Sequence, residues 1–302
     1  MSPTGVRPGV CILLNPASGD GERASTVRSK MAALPGLELR VCDNPAKLSD
    51  MAADAAADGF ERVAAAGGDG SVAAVAAGLV RSGMQVRLGV IPIGTGNDFA
   101  RGLGIPLDIS LAIDNLSSPR VRSIDLIRCR SPQVPGGERL SLNAVVGGIG
   151  GRISDAMTTS ISHRWGRFAY LRLGAAELFT GAASPVVLRI DSHRFSFDCL
   201  MLVIANGRFA GGAIPFAPAA DPSDGRLDIV AIAKVSKFSL LNVMIRVLRG
   251  RHEGMHGLIM RTGRSVEVDA GSSFWFNLDG ETWVAGAARF DVVPQALDVV
   301  VP

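Results

Sequence analysis

Arg62-Val63-Ala64-Ala65-Ala66-Gly67-Gly68-Asp69-Gly70-Ser71 is the stretch on which the reading of this chain turns. Its first half is a run of small apolar residues, as expected at the end of a buried strand, and residues 72–79 beyond it carry a helix-like pattern of valine, alanine and leucine. The glycines therefore fall on a strand-to-helix turn, where glycine permits positive φ and lets a ligand approach the backbone. A helix starting there points free N–H groups outward and adds about half a positive charge in its first turn. The turn reads as a phosphate cradle. Asp69 is the odd residue in it: a carboxylate among phosphate-binding amides fits a nearby divalent cation or a proton to be removed. Taken alone, the same residues also describe a tight turn with an acid at a helix start.

Working outward, Val10-Cys11-Ile12-Leu13-Leu14 is a second apolar run, stopped by Asn15-Pro16-Ala17-Ser18-Gly19-Asp20-Gly21. Residues 22–34 then show helical spacing at Ala24, Val27, Met31 and Leu34. Residues 37–42 read as a strand, 47–58 as a helix, and Leu88-Gly89-Val90-Ile91-Pro92 as a further strand. That strand ends in Ile93-Gly94-Thr95-Gly96-Asn97-Asp98, with Asn97 or Asp98 suited to cap a helix through Phe99 and Ala100. The βαβα alternation predicts a parallel sheet, and three glycine-rich loops leave its strands at one edge, where open α/β sheets bind ligands. Convergence of the three favours a nucleotide site over any reading of one loop.

After about Asp125 the texture changes to short β-like runs rich in glycine and proline. Strand candidates are residues 140–146, 186–190, 195–205, 227–233, 265–268, 274–278 and 297–301, a pattern that predicts a β-sandwich or barrel-like unit. Helices are expected at 165–179 and 238–248. The second is amphipathic and ends in Arg246, Arg249 and Arg251, which suits an anionic membrane surface or a core-packed helix with a solvated basic end. The expected fold is thus α/β plus β: a Rossmann-like parallel α/β domain over residues 1–125, then a β-sandwich domain over 126–302 whose last residues return to the first, with a cleft between them.

Composition sets the boundaries. A chain of 302 residues is long enough for two domains. With 47% hydrophobic and 20% charged residues and no apolar run of transmembrane length, it has the composition of a soluble globular protein. Residues 1–8 are polar and too short for a signal peptide, which makes the cytoplasm the expected location. A net charge of +3 argues against a nucleic-acid binder. Cys11, Cys42, Cys129 and Cys199 are widely spaced, as buried thiols are.

Two other patterns fail on context. Gly19, Gly21 and Ala24 fit the dinucleotide spacing, but Asn15-Pro16 precedes them and no decisive acid follows. His252-Glu253-Gly254-Met255-His256 has the letters of a zinc-protease helix, but Gly250 and Gly254 would disfavour that helix by about 1 kcal/mol each. No lysine-containing phosphate loop occurs, which excludes a standard P-loop enzyme.

Near the C-terminus, Asn277-Leu278-Asp279-Gly280-Glu281 follows a strand-like run. Side chains two apart in an extended strand share a face, so Asp279 and Glu281 are expected to point the same way. Two such carboxylates need a cation, a shared proton or solvent to relieve their repulsion. An exposed hairpin turn is the other reading of this motif.

Taken in order, Asn15 to Gly19, Gly67-Gly68-Asp69-Gly70-Ser71, Pro92 to Arg101, His163 to Tyr170, Asn206-Gly207 with Gly211-Gly212, Pro218 to Leu227, and Leu278-Asp279-Gly280-Glu281 resemble stretches of the diacylglycerol kinase catalytic family, which includes bacterial soluble lipid kinases and sphingosine kinases. The resemblance covers nearly the whole chain. It implies ATP-dependent transfer of phosphate to a lipid alcohol, diacylglycerol first, with a sphingoid base or another amphiphilic alcohol as the alternative. It also implies Mg2+, with ATP held between the two domains. Glu281 would be the general base and Asp279 its partner, while Asp69 would help position Mg2+ or water at the phosphates. Asn15, Pro16, Ala17, Ser18, Gly19, Gly67, Gly68, Asp69, Gly70, Ser71, Val72, Thr95, Asn97 and Asp98 would hold the nucleotide. Asp221 and Asp224, with the backbone carbonyl of Arg226, correspond to a structural magnesium site.

Implied partners are the lipid and a peripheral membrane surface visited transiently, with no nucleic acid; a homodimer is left open. Ser71 in place of a common threonine keeps the hydroxyl, and Ala213 stands where a third glycine is frequent. A kinase of the NAD kinase type, which shares the Gly-Gly-Asp-Gly loop, and a non-catalytic lipid or nucleotide sensor are the competing readings.

Overall fold

β1 (Val10–Leu14) is apolar throughout and buried at every position, which a strand achieves inside a sheet covered on both faces. In the computed structural model, which describes residues 9–149 and 182–302 apart from residues 20, 32, 33, 35, 135 and 280, β1 lies between β2 (Leu37–Val41) and β3 (Arg62–Gly67), parallel to both. β4 (Arg87–Pro92) pairs in parallel with β3, and Val299 of the last strand pairs in parallel with Leu88 of β4. Ile12, Leu14, Ala64, Ala66 and Ile91 form one apolar cluster with α1 (Glu22–Met31) and with Ala112 and Ile113. Their alternating neighbours Cys11, Leu13, Val63 and Ala65 are equally buried, and α2 (Leu48–Ala57) and α3 (Asp69–Ser82) pack on each other and on these strands. Two further helices follow β4: the short α4 (Asp98–Gly102) and α5 (Ile109–Asn115), which supplies Ala112 and Ile113. Burial pushes the Cys11, Cys129 and Cys199 thiols up to about 12.

Element boundaries depart from expectation where packing or backbone geometry overrides pattern. The helix expected over residues 72–79 begins three residues earlier, so Asp69 lies in its first turn. The helix expected over 22–34 is described over Glu22–Met31, and Leu34 lies outside it, 40% exposed.

The chain forms two compact units, Met1–Ile124 with Ala296–Pro302, and Asp125–Gln295. β5 (Val121–Arg130) carries it from the first to the second. The second unit is antiparallel. Residues 140–146, expected as one strand, are two, β6 (Glu138–Ser141) and β7 (Ala144–Gly148), because Leu142 and Asn143 turn between them. β8 (Ser184–Ile190) and β9 (His193–Ala205) follow, then β10 (Leu227–Ala233), α6 (Lys237–Leu248) and β11 (Leu258–Gly263). The candidates at 265–268 and 274–278 belong to one strand, β12 (Ser265–Leu278), with a register irregularity between Asp269 and Phe274.

The last strand, β13 (Glu281–Val300), is far longer than the segment read from sequence; Gly286 and Pro294 inside it disguise its length. β9 and β12 each pair with both β7 and β8, so hydrogen bonding closes on itself through these four strands. Phe274, Phe276 and Phe290 fill that unit's core, with Phe276 stacked on Trp283 at 5.3 Å. The helix expected at 165–179 and the family-like stretch at 163–170 lie outside the described residues.

Asp125 ties the loops of this unit together from a fully buried position. Its Oδ2 accepts the Gly225 N–H at 2.7 Å and its Oδ1 the Gln295 N–H at 2.8 Å, while its own N–H donates to the Pro222 carbonyl at 2.6 Å. Asn206 Nδ2 donates to the Asp125 carbonyl at 2.7 Å and to that of Leu142 at 3.0 Å. Both carboxylate oxygens face donors, so Asp125→Asn sets an amide NH2 against a backbone N–H. Urea denaturation of that variant is expected to show a loss of about 1–3 kcal/mol.

Candidate active site

Strand order in the first unit, β2-β1-β3-β4, reverses direction between β1 and β3, and open α/β sheets bind ligands where the order switches. The chain leaves β1 and β3 there through the first two glycine loops, and the third arrives from β4. Asn15 is buried; its Nδ2 donates to Ser71 Oγ at 2.9 Å while its Oδ1 accepts the Ala17 N–H at 3.1 Å. Ser18 Oγ lies 3.3 Å from the same Ser71 hydroxyl and accepts the Gly68 N–H at 3.4 Å. Arg23 Nη1 and Asn97 Nδ2 both donate to the Gly94 carbonyl, at 3.2 and 2.8 Å. The glycines are required by this contact itself: a Cβ on Gly94 would strike the Gly68 Cα, and one on Gly19 the Ile93 carbonyl oxygen.

The predicted nucleotide residues divide by accessibility. Ala17, Gly70 and Thr95 are exposed, one from each loop, with Pro16, Ser18, Gly19, Gly68 and Asp69 half-buried behind them. Gly67, Asn15 and Ser71 are buried and brace the loops. Val72 is buried, and its N–H is spent on the Gly68 carbonyl at 3.0 Å. No side chain caps α3, and of its first N–H groups those of Asp69 and Gly70 remain available for an anion, because the Gly68 N–H goes to Ser18 Oγ and the Ser71 N–H to the Gly68 carbonyl.

Asp69 has a structural task that the sequence did not disclose. Its Oδ1 accepts the Phe99 N–H at 3.0 Å, in the first turn of α4. Asn97 occupies the cap position at φ 53° but makes no side-chain cap bond there, and Asp98, buried, sits in the first turn. The expected capping of α4 by Asn97 or Asp98 is therefore performed from α3 by Asp69, because the Asn97 amide is already turned back to Gly94. Asn97 Oδ1 is buried with no donor. The uncapped N–H groups at the start of α3 suit a phosphate, so the residues present fit the anionic part of ATP.

In the second unit the expected pairing of Asp279 with Glu281 on one strand face does not occur. Leu278 pairs with Glu281 across the β12–β13 hairpin, and Asp279 lies in the turn at φ 49°, where strand alternation no longer applies. Asp279 Oδ2 accepts the Leu142 N–H at 3.1 Å. Glu281 is exposed and forms an ion pair with Arg139 Nη1 at 2.5 Å.

Asp221 and Asp224 sit in the loop clamped by Asp125. Asp221 Oδ1 accepts the Ser223 N–H and Asp224 Oδ1 the Arg226 N–H, each at 2.9 Å. The Arg226 guanidinium reaches Thr262 Oγ1 at 3.0 Å. Nearby Asp228 is pushed up to about 6 by burial and then by the Asp224 charge, with Arg226 pulling down. These oxygens suit a hard cation, but among the described residues no three His, Cys, Asp or Glu side chains gather to hold one. A cation there would draw most of its shell from backbone carbonyls and water.

Sequence reasoning missed Asp125, Arg139 and Asp228. Asp125 and Asp228 each break an apolar run, Ile124-Asp125-Leu126-Ile127 and Leu227-Asp228-Ile229, and that was the only signal available. His252 is buried outside any helix, with Nε2 2.8 Å from the Phe216 carbonyl oxygen, and so has no part in a metal motif with His256.

Asp69→Ala removes the capping acceptor of α4 and is expected to lower stability by about 1 kcal/mol. Asp69→Asn keeps Oδ1 and should melt like the parent in thermal denaturation followed by circular dichroism.

Residues 9–129 match the diacylglycerol kinase catalytic domain, and residues 143–301 the YegS C-terminal NAD kinase beta sandwich-like domain. A Pseudomonas putida protein described as "Probable lipid kinase YegS-like" is 31% identical over 267 residues, covering 88% of this chain and 85% of its own length. A Pseudomonas fluorescens protein of the same description is 30% identical over 297 residues, covering 98% and 96%. A crystal structure from Bacillus anthracis superposes with a TM-score of 0.80 at 20% identity, covering 100% of this chain and 97% of that one. Another from the same organism, described as that of a diacylglycerol kinase, gives 0.72 at 19%. With both domain families matched in order and full-length relatives at this identity, the chain belongs to the diacylglycerol kinase catalytic family, among its YegS-like lipid kinases.

Proposed function

We propose that this protein transfers the γ-phosphate of ATP to the hydroxyl of diacylglycerol, giving phosphatidic acid and ADP. The observation that carries the nucleotide half of this reading is the mutual bracing of the three glycine loops at the switch point of the first unit, with Gly68 and Gly94 in backbone contact. In this reading that unit is a Rossmann-like nucleotide-binding domain. The exposed backbone at Ala17, Gly70 and Thr95 meets the nucleotide, and the uncapped start of α3 takes its phosphates.

Mg2+, when bound, would neutralise phosphate charge, with Asp69 as its proposed positioning carboxylate in the catalytic centre and the Asp221–Asp224 loop as its structural site. Phosphoryl transfer needs mainly alignment and charge stabilisation, together with a carboxylate that orients the acceptor hydroxyl. Glu281 is assigned that last role. It takes the hydroxyl proton as the acceptor oxygen bonds to the γ-phosphorus and the bond to the ADP oxygen breaks. Its exposure leaves the carboxylate accessible, and the Arg139 guanidinium holds it in place. Asp279 supports it by anchoring the hairpin turn to the Leu142 N–H.

A lipid acceptor implies transient work at a membrane surface from the cytoplasm, and no described helix is long and apolar enough to cross a membrane. The sandwich of the second unit is matched to a domain named for NAD kinase, so NAD belongs among the acceptors tested.

The test is incubation of pure protein with labelled ATP, Mg2+ and a panel of diacylglycerol, sphingosine, other amphiphilic alcohols and NAD. Label in phosphatidic acid is the expected result; label only in another product, or in none, overturns the assignment. Glu281→Gln is expected to lower kcat about 10²- to 10⁴-fold with little change in ATP affinity. In the same assay Asp69→Asn separates its two roles: activity at the parent level would mean capping of α4 is its whole contribution, and a fall in kcat with unchanged melting supports the magnesium role.

A further inference from the structure

We infer that α6 is an interfacial helix that docks the protein on an anionic lipid bilayer, an inference that deepens the lipid kinase reading by assigning its membrane-contacting surface. From sequence the amphipathic pattern left a choice between core packing and membrane contact. In the structure the helix has an apolar face for each. Leu240, Val243 and Val247 are buried in the core of the second unit. Phe238, Leu241, Ile245 and Leu248, spaced three or four residues apart and hence on one side of the helix, are 89%, 47%, 41% and 45% exposed. They are half of the eight exposed large apolar side chains among the described residues. Concentration of this kind marks a binding surface, whereas scattered exposed apolar residues carry no such meaning.

The surrounding charge selects the occupant. From Ile229 through His252 the chain carries Lys234, Lys237, Arg246, Arg249 and Arg251 and no Asp or Glu. The whole chain has 31 cationic and 28 acidic side chains, so an unbroken cationic stretch of this length departs strongly from its average. Among the described residues none of the five cations is ion-paired, and the one side-chain bond made by the helical arginine is from Arg246 Nε to Asn242 Oδ1 at 3.3 Å. The stripe thus lies between Lys237 at the start of the helix and Arg246 and Arg249 at its end. An apolar stripe with long cationic side chains at its margins fits the boundary between lipid headgroups and acyl chains. The stripe enters the acyl region, the ammonium and guanidinium groups reach the phosphates, and the stems cover the flanks. Ser236 Oγ accepts the Ser239 N–H at 3.3 Å, so the helix is capped and ready before it meets lipid.

Sedimentation of the full-length protein with phosphatidylcholine vesicles, with and without phosphatidylglycerol and in the absence of ATP, tests this surface apart from catalysis. Binding is expected only to the phosphatidylglycerol vesicles, weakening as salt rises. Each cation near an anionic leaflet contributes about fivefold to partitioning, so Arg246→Gln with Arg249→Gln should weaken binding about 30-fold. Phe238→Asp with Ile245→Asp should weaken it at least about tenfold, since the apolar contribution of two side chains is lost. These residues are exposed, so all four substitutions should leave the melting curve and phosphorylation of a short-chain, detergent-dispersed acceptor unchanged. Unaltered vesicle binding in both variants overturns the inference, as does absence of binding by the parent protein. It is equally overturned if the parent is a dimer that Ile245→Asp converts to a monomer without affecting vesicle binding, which would make the stripe a contact between copies. A protein that binds vesicles through α6 but phosphorylates no lipid would retain this surface and refute the kinase reading instead.

Discussion

Backbone contact between Gly68 and Gly94 is the constraint around which the first unit is arranged. Three loops leaving parallel strands reach the same edge, but side chains ordinarily hold such loops apart by several ångströms. Here the hydrogens of glycine permit Cα-to-Cα packing, and the space thus freed is filled by small polar bridges. Asn15, Ser18 and Ser71 form one hydrogen-bonded group, and Asn97 and Arg23 converge on the Gly94 carbonyl. The glycine-rich signature therefore serves two ends with one set of residues: it exposes backbone N–H groups to a ligand and fixes the distance between the loops that present them.

Asp69 follows from the same compression. Once the second and third loops touch, its carboxylate is within reach of the N-terminus of α4 and caps it. A charge that looked misplaced among phosphate-binding amides is thereby given a local donor, and its favourable place near a helix start accords with the helix dipole. The second unit uses a buried carboxylate in a comparable way. Asp125 joins backbone donors from Gly225 and Gln295, two points far apart in sequence, and holds steady the loop that carries Asp221 and Asp224. In both units an acid inside an apolar or glycine-rich context collects backbone N–H groups that no secondary structure satisfies.

Resemblance and geometry bear on different questions in this protein. Motif order pointed to the family, and the change of texture after Asp125 to the two-domain layout; neither said how individual carboxylates are held. Glu281 is exposed with its charge matched by Arg139, and Asp279 acts through a turn, so the two are neighbours in sequence with different environments. The exposed stripe on α6 is a further property that no motif encodes, since it depends on which face of an apolar helix the core has already taken.

The sequence by itself determined the parallel strands of the first unit, because runs such as Val10 to Leu14 and Arg62 to Ala66 have no polar face to offer solvent. It also determined the three loops, because glycine and proline leave the chain few other conformations there. It did not determine the long β13, whose Gly286 and Pro294 mimic strand breaks, or the division of residues 140–146 into two strands, which follows from where Leu142 and Asn143 find partners. Nor did it determine the environment of Asp279. Alternation along a strand is a local rule, and it fails at the hairpin where Leu278 meets Glu281 and the backbone at Asp279 turns to positive φ. Local periodicity is written in adjacent residues, whereas strand register, capping from another helix and the free face of α6 depend on contacts between residues tens of positions apart. Only the tertiary structure decided those, because only there do the distant donors and acceptors meet.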